Sequence, residues 1–210
     1  MTRIVAGSAK GRTLAVPKSG TRPTSERVRE ALFSRLDHMN VLEGATVLDL
    51  FAGTGALGLE ALSRGAARAT LVEKASAAAR VASANVRATG LPARVVTADV
   101  RAYLGARSGE ALTGENDLVF IDPPYDIPEG DMTTVLSALA PWVGPDSLIV
   151  VERSTRAPAP TWPPFLVLED TRAWGETVAY FADPPLPTDE ESSDAAERAA
   201  ASPVREETAQ

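Results

Sequence analysis

The stretch Val47-Leu48-Asp49-Leu50-Phe51-Ala52-Gly53-Thr54-Gly55-Ala56-Leu57-Gly58 decides the fold. Its first half belongs to a nearly continuous apolar run, Thr46–Phe51, of the kind found in strands covered on both faces. Its second half spells G-x-G-x-x-G, with Gly53, Gly55 and Gly58 in register. The loop leaves a strand and opens a helical pattern over Leu57–Arg64, the setting in which that motif carries meaning. Further strands are predicted over Ala69–Glu73, Arg94–Ala98, Asp117–Ile121 and Ser147–Val151, and helices over Ser76–Thr89 and Met132–Leu139. Alternation at this spacing predicts an α/β fold built on a mostly parallel, doubly wound, Rossmann-like sheet. Phe165–Leu168 and Thr177–Phe181, flanking Trp174-Gly175, predict a closing antiparallel hairpin. At the front, Arg3–Ala6 and Arg12–Val16 around Lys10-Gly11 predict a small β-hairpin. An amphipathic helix, Arg27–Leu36, follows with Ser25 or Thr24 as its cap.

Composition narrows the class. The chain has 210 residues, 44% hydrophobic and 23% charged, which fits one ordinary folded domain and excludes wholesale disorder, collagen and coiled coil. Without cysteine and with His38 as its one histidine, it has neither disulfides, thiolate chemistry nor a His-rich metal site. His38 itself is expected at an exposed helix end, and Trp142, Trp162 and Trp174 in packing roles, Trp174 as a hairpin anchor. No apolar stretch is long enough to span a bilayer, and Met1–Gly7 has no hydrophobic leader core; a soluble, cytoplasmic, monomeric protein is expected.

The net charge of -7 conceals a segregation. Residues 1–40 carry eight basic and three acidic side chains, whereas 183–210 carry eight acids and two arginines. The acidic total therefore says nothing against a polyanionic partner. The tail has only Leu186 and Val204 as large aliphatics and is expected to be disordered. The predicted organisation is a basic extension (1–40), a main domain (41–182) and an acidic tail (183–210).

Glu73 ends the second core strand, 20 residues after Gly53, where a carboxylate accepts from ribose hydroxyls. A nucleoside cofactor is implied. Asp49 selects among nucleosides. It sits at the end of the first core strand, where a diphosphate would meet its charge; at an effective dielectric near 20, unit charges about 4 Å apart interact by about 4 kcal/mol. S-adenosylmethionine instead presents an ammonium and a sulfonium, both attracted to a carboxylate. Phe51, Gly53 and Gly55 are taken with Asp49 and Glu73 as the cofactor set. Asp99, ending the third core strand, is the candidate for the adenine amine. The plainer alternatives are a backbone cap of the loop for Asp49 and a helix N-cap for Asp99.

Asp122-Pro123-Pro124-Tyr125 is delivered to the same edge by the next strand. Two prolines fix φ and remove two N–H donors, leaving a stiff turn rich in acceptors. Such a turn suits the hydrogens of a planar NH2 group, whose conjugated lone pair must be freed before it attacks. Asp122 and Pro123 are the candidate holders of the amine, and Tyr125 the side chain that stacks on a base. Transfer is then a direct attack on a sulfonium methyl, governed by positioning.

The residues resemble a known family, the bacterial small-subunit rRNA guanine-N2 methyltransferases of the RsmD type. The likeness is carried by Arg3-Ile4-Val5-Ala6-Gly7 with Gly11-Arg12, by the run from Arg22-Pro23-Thr24 to Phe33, by Asp49–Gly65, by Asp122–Tyr125 and by Trp174–Thr177. It spans about 1–182. The resemblance implies the class I S-adenosylmethionine-dependent methyltransferase fold and S-adenosylmethionine as donor. It also implies methylation of a 16S rRNA guanine at N2 within an assembling small subunit. By motif match, Asp49, Gly53 and Gly55 lie along the methionine end, Glu73 on the ribose, Asp99 on the adenine side, and Asp122, Pro123 and Tyr125 on the guanine. The acidic tail and the alanine-rich run Ala75–Ala79 depart from the family pattern. Arg3, Arg12, Arg22 and Arg27 are the candidates for RNA phosphates, against the alternative of a solvated charged face. Three other functions stay open on sequence: methylation of DNA adenine N6, methylation of protein glutamine, and non-catalytic RNA binding. A dehydrogenase is disfavoured by Asp49.

Overall fold

The structure, a computed structural model, describes residues 2–16, 26–106, 114–124 and 126–185. Strands β1 (Thr2–Arg3) and β2 (Thr13–Leu14) form a small antiparallel pair, and α1 (Glu26–His38) follows. The main body then alternates: β3 (Thr46–Leu50), α2 (Ala56–Ser63), β4 (Arg68–Glu73), α3 (Ser76–Thr89), β5 (Ala93–Thr97), α4 (Val100–Gly105), β6 (Asn116–Ile121), α5 (Glu129–Ser137) and β7 (Val143–Ser154). A hairpin of β8 (Val167–Trp174) and β9 (Thr177–Asp183) closes it. The seven-stranded sheet has the order β5-β4-β3-β6-β7-β9-β8, with β9 antiparallel to both neighbours and the other pairings parallel. This is the mostly parallel, doubly wound, Rossmann-like architecture that the strand–helix alternation predicts, with the predicted antiparallel hairpin at its C-terminal end.

Strand alternation splits the apolar residues between two covered faces. Val47, Leu118, Phe120 and Val150 join a cluster with Leu32, Phe33 and Leu36 of α1 and Leu59 of α2. Leu48, Leu50, Val119, Ile149 and Val151 join the opposite cluster with Val100, Leu104, Met132 and Leu136 of α4 and α5. Both faces are buried, so the central strands carry no polar–apolar alternation.

Several boundaries differ from the sequence reading. Helix α4 has no range in the sequence reading, where it enters only through the N-cap alternative for Asp99: it has six residues and buries only Val100 and Leu104, too short for a period to declare itself. Strand β8 begins at Val167 and runs through Glu169, Asp170, Thr171 and Arg172, nearly all exposed. It is an edge strand, blunted by charge, and shows no apolar run. The proposed caps Thr24 and Ser25, and the tail beyond Pro185, lie outside the described residues.

The extension is tied to the main body by apolar packing and by buried polar bonds. Ile4 and Leu14 belong to the first cluster. Glu60 of α2, 0% exposed, accepts from the backbone N–H groups of Val5 (2.7 Å) and Ala6 (3.0 Å) and from Arg64 (2.9 Å). Arg29, 1% exposed, pairs with Glu60 at 3.7 Å and donates to the Thr2 hydroxyl (3.0 Å) and the Arg3 carbonyl. Gly7 approaches α2 so closely that a Cβ there would stand 1.7 Å from the Ser63 carbonyl oxygen. Asn85 of α3 accepts from Ala15 N–H (2.8 Å) and donates to the carbonyls of Ala15 (3.1 Å) and Thr54 (3.0 Å). One side chain thus joins α3, the extension and the glycine loop. Among the described residues no helix is long and apolar enough to cross a membrane.

Candidate functional site

Parallel strands deliver their C-terminal ends to one edge of the sheet, and the strand order reverses between β3 and β6, where ligands bind in such sheets. An open cavity of about 1160 Å³ lies there. Asp49, Phe51, Gly53, Glu73, Asp99, Asp122 and Pro123 all line it. The volume exceeds the roughly 300–1,000 Å³ usual for one small ligand, leaving room for a nucleoside and an acceptor side by side. Tyr125 and Arg22 lie outside the described residues.

The glycines differ in their work. Gly55 has φ 78° and starts α2 from the left-handed region, where a side chain would be strained. A Cβ at Gly58 would fall 2.3 Å from Leu71 Cδ2 and 3.2 Å from Asp49 Oδ2, so glycine there is demanded by packing. A Cβ at Gly53 would meet nothing nearer than the Phe51 carbonyl oxygen at 4.0 Å; it would stand in the cavity. Phe51 itself has φ 61°, unusual for a bulky residue, at the turn where the chain leaves β3.

Asp49 is 1% exposed, and its Oδ2 accepts from Gly58 N–H at 2.9 Å. Burial pushes its carboxyl up from 3.8 to about 7, the Gly58 bond opposes that rise, and the nearby charges of Asp122 and Glu73 add to it. Loop cap and cavity wall are therefore the same carboxylate. Glu73 accepts from Gly53 N–H (2.9 Å) and Ala75 N–H (2.6 Å), bracing the loop from the next strand. Asp99 caps α4 by accepting from Arg101 N–H at 3.0 Å, and its other oxygen meets Lys74 Nζ at 2.9 Å. The Lys74 bond is the main reason its carboxyl lies below the ordinary range. The N-cap alternative for Asp99 is realised, with the side chain still on the cavity wall. Asp122 follows β6, and the turn is closed by Ile127 N–H donating to the Pro124 carbonyl at 3.1 Å.

The structure adds residues that the sequence reading missed. Glu152, 3% exposed, lines the cavity beside Asp122, because Val151 of β7 pairs with Ile121 of β6. Arg29 reaches the same cavity from α1. The turn Trp174-Gly175-Glu176-Thr177 also lines it. Thr177 pairs with Ser154, so the antiparallel β9 starts at the edge where the parallel strands end. Trp174 is thus both hairpin anchor and cavity wall. A register of parallel neighbours would have suggested Glu152; no local signal marks Arg29.

Of the basic candidates, Arg3 is exposed and pairs with Glu26 at 3.2 Å. Arg12 donates to the Ala88 carbonyl at the end of α3, at 2.7 Å. Arg27 is exposed on α1. Among the described residues no group of three or more metal-ligating side chains converges.

The family model described as Conserved hypothetical protein 95 matches residues 2–183. The ribosomal RNA small subunit methyltransferase D of Escherichia coli K12 is 40% identical over 180 residues, covering 85% of this chain and 87% of that protein. A 4-amino-L-phenylalanine/4-methylamino-L-phenylalanine methyltransferase of Streptomyces pristinaespiralis is 36% identical, over 69% of this chain and 48% of its own. The solved structure of yhhF from Escherichia coli superposes with a TM-score of 0.75 at 35% identity, covering 89% of this chain and 99% of that one. Reversed strand order, glycine loop and cavity agree with what these similarities say: the chain belongs to the RsmD family, that of the ribosomal RNA small subunit methyltransferases D.

Proposed function

We propose that the protein transfers a methyl group from S-adenosylmethionine to the exocyclic N2 of a guanine in small-subunit (16S) rRNA, during assembly of that subunit. The observation that carries this reading is the placement of Asp49 and Asp122 at the ends of paired neighbours β3 and β6, in one cavity and close enough to act on each other electrostatically. An acidic crevice opposes a diphosphate and favours a ligand bearing cationic groups. The residues present fit S-adenosylmethionine: a carboxyl that burial raises to about 7 and that a cationic ligand would stabilise in its charged form, a glycine whose missing Cβ opens the cavity, and Glu73 and Asp99 on successive strand ends. Asp49 with Phe51, Gly53 and Gly55 would hold its methionine end, Glu73 its ribose and Asp99 its adenine side. Bound there, the cofactor supplies a methyl carbon made electrophilic by a sulfonium.

The chain's own contribution is orientation. The carboxylate of Asp122 and the carbonyl of Pro123 accept from the amine hydrogens, which favours a pyramidal nitrogen and frees its lone pair. Asp122 is also the acceptor at hand for the proton the nitrogen sheds. Tyr125 stacks on the base. Arg3, Arg12, Arg22 and Arg27 contact phosphates, which give affinity without sequence information. The similarity to an enzyme named for 4-amino-L-phenylalanine supports an acceptor amine conjugated to a ring.

The test is incubation with radiolabelled methyl donor and, in parallel, unmodified small subunits, 16S rRNA, DNA and protein, followed by nucleoside analysis. Label in N2-methylguanosine is expected. Label in N6-methyladenine or methylglutamine, or none at all, overturns the assignment.

Asp49 gives the site a pH signature. Between about pH 4 and pH 7 the folded, ligand-free chain holds a proton that the unfolded chain has lost, so this group's contribution to stability falls as pH rises through that window. A cationic ligand prefers the carboxylate. Affinity for S-adenosylmethionine should therefore rise by up to about tenfold per pH unit below pH 7 and level off above it. Calorimetry in buffers of different ionisation enthalpy should show the proton released. A pH-independent affinity, equal to that of Asp49→Asn, would refute the linkage.

A further inference from the structure

Between Lys74 and Ala98 the chain carries four basic residues, Lys74, Arg80, Arg87 and Arg94, and no acidic one. Most of that span is α3. The helix turns Ala78, Ala79, Ala82, Asn85 and Thr89 toward the core, leaving Arg80 and Arg87 exposed. They are seven residues apart, so they share one face, about 10 Å from each other along the axis. The side chains between them on that side are small: Ser83 and Ala84 are half-buried. Neither arginine has an ion-pair or hydrogen-bond partner among the described residues. Arg94 of β5 donates to the neutral Thr70 hydroxyl at 3.2 Å and keeps its charge.

The extension adds to this face. Arg12 donates to the Ala88 carbonyl in the last turn of α3, a neutral partner that fixes the guanidinium without cancelling it. The Asn85 bonds to Ala15 clamp the following strand to the same helix. Lys10 and Arg12, on the exposed turn between β1 and β2, are thereby held against the α3 end. By contrast Arg3 is paired with Glu26, and Arg35, also on α1, with Asp170. The charge free of acidic partners thus runs from the hairpin turn along α3 toward the cavity wall, where Lys74 meets Asp99 at 2.9 Å.

We infer that α3 is part of the RNA-binding surface, with Arg80 and Arg87 contacting phosphates of the strand that the hairpin turn also holds. This rests on the proposed rRNA substrate and extends its contact surface beyond the first 40 residues. Rows of unpaired cations with no acid between them fit a polyanionic backbone; an acidic protein would demand the same charge but gain nothing from the direction toward the cavity.

The test is binding of the full chain to an unmodified 16S rRNA transcript as a function of salt, with Arg80→Ala/Arg87→Ala compared against wild type and against Arg172→Ala at the opposite edge of the sheet. Losing two phosphate contacts should flatten the slope of log K against log[salt] by about 1.4–1.8 and weaken binding at least about fivefold. Affinity for S-adenosylmethionine and the unfolding midpoint should not move. A double variant with the wild-type slope, or an equal change per charge in Arg172→Ala, overturns the inference while leaving the substrate assignment standing. A wild-type chain whose RNA binding is absent or independent of salt overturns both.

Discussion

Asp122→Ala should lower methyl transfer to small-subunit rRNA by at least about 10²-fold, the usual cost of removing one preorganised polar group from the reacting centre. The argument is geometric. Asp122 stands where β6 ends, beside the glycine loop carried by β3, and the two prolines behind it keep the turn from relaxing to compensate. Alanine removes both the hydrogen-bond acceptor for the amine and the base for its proton. Asp122→Asn retains a carbonyl oxygen and should recover part of the orientation but none of the basicity. Cofactor binding supplies the control that separates chemistry from collapse. Asp122 is one of the two charges that raise the Asp49 carboxyl, so removing it lowers that pKa. That gain offsets the loss of one carboxylate from the acidic crevice, so affinity for S-adenosylmethionine should stay within a few-fold of wild type. Undiminished turnover would remove Asp122 from the mechanism, and a parallel collapse of cofactor affinity would show that it serves the fold.

The second large effect concerns stability. Glu60→Ala should cost about 3–5 kcal/mol, the range for breaking a buried ion pair from one side. Glu60 is wholly buried and serves two backbone N–H groups of the extension, together with Arg64 and Arg29. Without it, Arg29 loses its compensating carboxylate; burial already holds that guanidinium below its ordinary pKa, and Glu60 is the largest opposing influence. Val5 and Ala6 lose their acceptors at the same time. Urea denaturation followed by tryptophan fluorescence measures the loss, and Glu60→Gln should fall between wild type and alanine. A cost under about 1 kcal/mol would mean that water or a rearranged hairpin replaces the carboxylate. Because α2 begins at the glycine loop and Glu60 sits in its middle turn, the same variant should loosen the extension and leave Arg29, on the cavity wall, without its carboxylate partner.

How much of this was legible beforehand depends on how local each signal is. The run from Val47 to Gly58 announces strand, tight turn and helix because glycine's freedom and apolar burial are properties of the residues themselves. Asp49, Glu73, Asp99 and Asp122 could be named as strand-end groups from the strand–helix rhythm alone, since parallel strands connected this way deliver their ends to one edge. Helix α4 and the charged edge strand β8 gave no period to read.

Sequence by itself determined the layered α/β architecture, the glycine loop and the carboxylates facing the cavity, because each follows from a pattern within about a dozen residues. Only the tertiary structure decided the fates of Glu60, Glu152 and Trp174. A lone glutamate in the helix Ala56–Ser63 reads as a solvated residue; it is a buried hub because Val5 and Ala6 fold against it from some 55 residues away. Glu152 and Trp174 reach the cavity through strand register, which sets neighbours that no stretch of chain contains. The physical reason is common to all three: burial and charge compensation are properties of the surroundings, and here distant segments supply them.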